Sequence, residues 1–257
     1  AGRVNNAGGA VGSVSTLSGD ASLETFRGNG GHDLIRGFTG LDRAEYNVGG
    51  QSEGIVVDLA LGSVSGDALF TENDVLRGVE SIASTHLDDR YQATYFTLSN
   101  ATLASPNSGD VQVLAPAGVT LPPMAFNEFV VYGGNDRVDG NGATRLNFSQ
   151  IYVETLSTAT VNVQATITPA VRSLATYGLT DGGYGSVDFL YVYSIVGSAG
   201  RDELTGGGNF QELQGYYGND VLRGGDGHDI LFGNLGQDNG LFAPATVFTD
   251  DDALYGE

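Results

Sequence analysis

GSAGRDELT GGGNFQELQ GYYGNDVLR GGDGHDILF GNLGQDNGL, residues 197–241, is five nonapeptides in tandem with nothing between them. Position 1 is always Gly, and position 4 is Gly except at Asn209. Position 6 reads Asp202, Gln211, Asp220, Asp229 and Asp238, and position 8 reads Leu204, Leu213, Leu222, Leu231 and finally Gly240. One large aliphatic residue per nine fits a short strand at positions 7 to 9 whose middle side chain alone points inward. The remaining positions form a turn, where glycine permits positive φ and close backbone approach.

Such turns leave oxygen atoms aimed at the gap between successive coils. The carbonyls at positions 1 and 3 come from Gly197 and Ala199, Gly206 and Gly208, Gly215 and Tyr217, Gly224 and Asp226, and Gly233 and Leu235, with the position-6 side chains beside them. A cage of oxygens suits hard divalent cations, Ca²⁺ above all, because softer metals select sulfur or imidazole. The chain has no Cys and only 3 His.

If two nonapeptides make one coil, turns on the same edge come from alternate units. One edge then stacks Asp202, Asp220 and Asp238, and the other stacks Gln211 with Asp229. Coils in a parallel sheet lie about 4.8 Å apart, and two bare carboxylates at that spacing repel by roughly 3 kcal/mol at an effective dielectric near 20. A cation between them reverses the sign, so binding and folding are expected to be one event. Gln211 offers only a neutral carbonyl, and its gap is expected to bind more weakly.

The pattern G-G-x-G-x-D-x-U-x, met in full by GGDGHDILF at residues 224–232, resembles the hemolysin-type calcium-binding repeat of RTX proteins. The resemblance implies an all-β fold, a right-handed parallel β-roll or β-solenoid with Ca²⁺ in both edges. It also implies a protein exported from Gram-negative bacteria by a type I secretion exporter. Weak sites, with Kd on the order of 10⁻⁴ to 10⁻³ M, would stay empty in the cytosol and fill outside.

The period reaches beyond this block. Residues 19–45 read GDASLETFR GNGGHDLIR GFTGLDRAE, with Glu24, Asp33 and Asp42 at position 6. Glu24 and Asp42 share an edge, whereas Asp33 lacks a good partner two units away. Residues 46–83 leave the repeat, which returns once at 84–92 with Asp89 and Tyr91. Residues 122–148 repeat 19–45 at an offset of 103, placing Asn127, Asp136 and Arg145 where Glu24, Asp33 and Asp42 stand. The later pair Asp89 and Asp202 runs at an offset of 113. The chain thus reads as internally duplicated, a first copy over 1–121 and a second over 122–257, with extra residues inserted in a surface loop within 168–185. Arg145 is expected to repel a cation and to serve as a fixed counter-charge to Asp136 or Asp139.

Composition agrees with a glycine-turn repeat. Gly accounts for 40 of 257 residues without a collagen period. There are 31 acidic residues against 11 basic ones, every basic one Arg, for a net charge of −20. Such a charge opposes nucleic acid and anionic membranes as partners and fits a cation-binding protein. No apolar run is long enough to span a membrane. The first residues lack the pattern of a signal peptide, and the last ones begin another repeat with Asp252 and Leu254, so the chain reads as a piece of a larger polypeptide.

His32 and His228 occupy the variable position 5 and read, like His86, as solvent-facing filler. Tyr91, Tyr95, Phe96, Tyr177, Tyr184, Tyr191, Tyr193, Tyr216 and Tyr217 could form a glycan-binding face, which would make the chain an adhesin. Strand packing is the commoner use of such residues. Acidic pairs such as Asp88/Asp89 and Asp250/Asp251 have no nucleophile and base beside them. The chain is therefore expected not to be an enzyme itself, although it could be the accessory module of one.

Overall fold

The computed structural model describes residues 2–5, 14–19, 24–47, 49–66, 73–99, 105–113, 124–151, 161–179, 182–208, 210–234 and 253–255. These form a parallel β-roll, and none of them is helical. The roll has two faces whose inward side chains meet in one core.

The first face is parallel throughout. It runs Gly2–Asn5, Glu24–Arg27, Arg43–Glu45, Ser81–Ala83, Asn127–Val130, the second half of Asn135–Asn147, the second half of Gly182–Val196, Glu212–Tyr216 and Ile230–Asn234. Its register superposes the inward residues Phe26, Ala44, Ile82, Phe129, Leu146, Ile195 and Leu213, all fully buried. Leu204 pairs with Leu222 and Leu213 with Leu231, the 18-residue coil that the nonapeptide spacing predicts.

The second face starts with Val14–Ser18, His32–Arg36 and Asp74–Arg77, and it is interrupted twice. Between Asp74–Arg77 and Arg90–Gln92 lie Ser63–Ser65 and Val56–Asp58, the former antiparallel to both its neighbours. Farther along, Ser173–Leu179 runs antiparallel between Gly182–Val196 and Asn162–Thr166. The face then resumes in parallel through Glu203–Thr205, Val221–Arg223 and Ala253–Tyr255. Each excursion is a hairpin that folds back into the face, and the two follow the same strand order.

Two expectations change here. The inserted stretch is no surface loop: Ser173–Leu179 is a strand with Ala175 and Tyr177 buried, and Tyr177 meets Phe148 at 5.8 Å between ring centroids. Its alternation places one apolar side chain inward every second residue, which composition alone did not reveal. Likewise 73–83 stays within the two columns, because Asp74-Val75-Leu76 and Glu80-Ser81-Ile82 each repeat the acid and apolar spacing of positions 6 to 8.

Across the interior the two faces interlock. Tyr91 of one lies against Phe129 of the other, ring centroids 5.2 Å apart. Full burial of such side chains contributes about 1.5 to 3 kcal/mol each, and the columns of aliphatic and aromatic residues supply the apolar core from end to end.

Candidate metal centres

The acidic residues stand two positions before each inward side chain, where the turn enters the strand. Along the first edge lie Glu24, Asp42, Glu80, then Asn127 and Thr144, then Gln211 and Asp229. Along the second lie Asp33, Asp74, Asp89, Asp136, Asp202 and Asp220. All but Asp229 are buried.

One side-chain oxygen of each coil caps the coil before it. Asp42 Oδ1 accepts the Glu24 N–H (3.0 Å), Glu80 Oε2 the Asp42 N–H (3.0 Å), and Asp74 Oδ1 the Asp33 N–H (2.8 Å). Asp136 Oδ1 accepts from Asp89 (2.9 Å), Asp220 Oδ1 from Asp202 (2.8 Å), and Asp229 Oδ1 from Gln211 (2.9 Å). These bonds satisfy main-chain donors that begin each strand, so the carboxylates are structural before any ion is considered.

The second oxygen separates the turns. Asp42 Oδ2 and Asp136 Oδ2 are buried with no hydrogen-bond donor. Asp74 Oδ2 takes the Tyr46 hydroxyl (3.1 Å). Asp89 receives the Thr85 N–H on Oδ2 (2.8 Å) and both the Thr85 hydroxyl (2.8 Å) and the Ile55 N–H (2.7 Å) on Oδ1. Asp202 repeats this arrangement with the Ser198 N–H (2.6 Å), the Ser198 hydroxyl (2.8 Å) and the Val163 N–H (2.6 Å). Gln211 Oε1 accepts from Gly207 (3.1 Å).

Burial raises these acids. Loss of water pushes Asp42, Asp74 and Asp202 up to about 7 and Asp89 to about 6, and it also raises Glu80, Asp136 and Asp229. A carboxylate with an undonated oxygen in such a place calls for a proton or a cation.

The residues fit Ca²⁺. Glycine at position 1 makes room for the position-6 carboxylate to fold back, since a Cβ at Gly28, Gly37, Gly197, Gly215 or Gly224 would collide with that carboxylate of its own unit. The same Cβ would strike the next coil's carbonyl, Gly78 at Gly37, Gly215 at Gly197, Gly224 at Gly206 and Gly233 at Gly215, so carbonyl and carboxylate oxygens line one gap. Among the described residues no three His, Cys, Asp or Glu side chains converge. Carbonyl oxygens would have to complete the coordination, as a hard cation with six to eight oxygen ligands allows.

Of the position-3 residues, Ala199, Gly208 and Asp226 are exposed, and Tyr217 is half-buried with its ring 4.4 Å from that of Tyr216. Leu235 and Asp238 lie outside the described residues. His86 and His228 are exposed and His32 is part-buried. Tyr91, Phe96, Tyr177 and Tyr193 are buried, while Tyr95, Tyr184 and Tyr191 are exposed.

Two site expectations are corrected. Asp33 does have an edge partner, Asp74, 41 residues on rather than 18. Arg145 is not at position 6, because Asn127 pairs with Thr144 and Phe129 with Leu146, one residue out of the repeat frame. The irregularity lies between Asp139 and Thr144. Arg145 therefore faces outward, 2.5 Å from Glu212 and over the Phe126 ring, and it answers neither Asp136 nor Asp139. Asp139 is paired instead with Arg172. Sequence reading missed Asp74 and Glu80, although the D-x-L and E-x-I triplets carry the signal.

Residues 18–47, 194–209 and 211–239 match the family described as the RTX calcium-binding nonapeptide repeat, in four copies. No curated protein matches the chain. The chain thus carries RTX calcium-binding nonapeptide repeats, and the described residues that hold them form a mostly parallel β-roll.

Proposed function

We propose that this RTX-repeat chain is a non-catalytic roll that takes up several Ca²⁺ ions and reaches its stable fold through them, outside a Gram-negative cell after type I export. The observation that carries the reading is the stack of buried carboxylates along both edges, with Asp42 Oδ2 and Asp136 Oδ2 left without a protein donor. Without cations the stack opposes folding by repulsion and desolvation; with them, ion binding becomes folding free energy. The net charge of −20 adds self-repulsion that divalent cations relieve. Export follows from the same energetics: a chain only weakly stable at low cytosolic calcium can unfold and thread an exporter, and extracellular calcium then stabilises its fold. Proteins with RTX repeats are typically secreted, and no helix among the described residues is long and apolar enough to cross a membrane.

The test is far-UV circular dichroism of metal-stripped protein titrated with Ca²⁺, with Mg²⁺ as control. A gain of β signal with millimolar Ca²⁺ and little with Mg²⁺ is expected. A spectrum indifferent to chelator and to Ca²⁺ would reduce the glycine turns to plain structure.

A further inference from the structure

Two backbone classes stand out among the described repeat turns, and the unit at Val131, where Gly134 (φ 85°) alone is left-handed, belongs to neither. In the units beginning at Gly28, Gly37, Gly215 and Gly224, positions 2 and 4 are both left-handed: Asn29 (φ 65°) with Gly31 (94°), Phe38 (74°) with Gly40 (112°), Tyr216 (78°) with Gly218 (120°), and Gly225 (80°) with Gly227 (134°). Three of the four position-2 residues carry side chains, for which this conformation is unfavourable. Such strain persists where the surroundings demand it and clusters at ligand sites.

In the units beginning at Ser84 and Gly197 neither position is left-handed, although Gly200 could adopt that conformation freely. There position 2 is a hydroxyl residue, Thr85 or Ser198. Its N–H and hydroxyl both reach the position-6 carboxylate, and a third donor comes from the hairpin that interrupts the second face, Ile55 or Val163. These protein donors take up the carboxylate oxygens that a cation would otherwise claim. In the left-handed unit at Gly37, by contrast, Asp42 Oδ2 is buried and no donor reaches it, and the side chain of Phe38 stands in solvent.

We infer that position 2 sorts the turns: a hydroxyl residue outside the left-handed region locks the carboxylate into a calcium-free turn, and a left-handed position 2 leaves it open to the ion. Calcium is thereby directed to the open turns around 28–45 and 215–234 and kept from the turns that end at Asp89 and Asp202. At the two locked turns the carboxylates of Asp89 and Asp202 are held by protein donors, while Asp136, whose Oδ2 has none, lies between them. Thr85 and Ser198 are equivalent in the two copies, so the duplication carries this lock with it at both hairpins. Between the locks, the first edge is neutral. Asn127 Oδ1 accepts from the Tyr91 and Thr144 hydroxyls, and Asn141 donates to the Phe96 and Ala125 carbonyls.

The inference rests on calcium binding by the repeats, and the experiment separates the two. Hydrogen exchange read by mass spectrometry, on the full chain in chelator and in excess Ca²⁺, should show protection at 32–45 and 212–223 that collapses on chelation, while 85–92 stays protected. Calorimetric ion counts on variants give the second reading. Phe38→Ser, at an exposed side chain, should lose about one Ca²⁺ per chain, and Ser198→Gly should gain up to about one. No calcium uptake by the parent chain would sink both readings. Uptake with uniform loss of protection on chelation, or ion counts unchanged in Phe38→Ser and Ser198→Gly, would overturn this one alone.

Discussion

The Tyr91 hydroxyl donates to Asn127 Oδ1 at 2.9 Å, from the second face of the roll to the edge of the first. At the matching place in the first copy stands Glu24, whose N–H donates to Asp42 Oδ1. Asn127 also donates through Nδ2 to the Ala125 carbonyl (3.2 Å) and to Asn141 Oδ1 (2.9 Å), so its amide needs both an acceptor and a donor. Asn127→Asp keeps the shape, removes the donor and sets a charge beside two buried acceptors. It should lower stability by about 3 kcal/mol, read as a fall in the urea midpoint with calcium present. An unchanged midpoint would show that the network contributes nothing beyond shape.

Glu128 is buried on the outer side of the same region, 2.6 Å from Arg43, and it accepts from Ser81 (2.8 Å) and Asn147 (2.9 Å). Desolvation acts to raise its carboxyl, yet the Arg43 and Arg145 charges hold it below the usual range. Arg43→Met would leave a buried carboxylate with a weaker counter-charge and should cost about 3 kcal/mol. Arg43→Lys should recover only part of that, since an ammonium lacks the guanidinium fork that also reaches Ser81 Oγ. Equal stability of the Met variant and the parent in chemical denaturation would contradict the assignment.

The repeat columns were legible because Asp202, Asp220 and Leu204, Leu222 stand 18 residues apart in uninterrupted units, and a roll of two nonapeptides per coil can stack them in only one way. Asp33 and Asp74 were not legible as partners. A hairpin and the residues around it separate them, and loop length carries no information about which strand resumes the column. Arg145 was misplaced because the coil from Asn127 to Thr144 is one residue short of the 18-residue frame, and side-chain direction has period two. The split between open and locked turns depends on φ at position 2. Phe38 and Tyr216 give no hint of that conformation as residue types, whereas the hydroxyls of Thr85 and Ser198 do mark the locked turns.

Gly37 is the tightest of the first-copy turns. A Cβ there would meet the Gly78 carbonyl and the Asp42 side chain at once, and the carbonyl is backbone that cannot swing aside. Gly37→Ala should cost about 2 kcal/mol or more through overpacking and should weaken calcium uptake on that edge. Gly49→Ala, where nothing lies within 4 Å, is the matched control and should be near neutral. Calorimetry of both variants with and without calcium checks the pair; equal loss in the two would mean that crowding at the coil gap is not the cause.

The buried acids of the second edge give the metal-free fold an unusual pH response. Asp74, Asp89 and Asp202 sit at about 7, 6 and 7 against 3.8, desolvation being the main cause in each. Between pH 4 and 7 the folded chain therefore binds more protons than the unfolded one. Stability must fall as pH rises through that window and level off above it. Moving one carboxyl from 3.8 to about 6 corresponds to on the order of 3 kcal/mol lost by neutral pH. In chelator, the urea midpoint at pH 5 should exceed that at pH 7.5. With saturating Ca²⁺ the difference should shrink or reverse, because the ion binds deprotonated carboxylates and competes with protons at the open turns. A chelated protein whose midpoint climbs from pH 5 to 7.5 would show that these carboxyls ionise freely in the fold, and that the donors from Thr85, Ser198 and Tyr46 outweigh their desolvation.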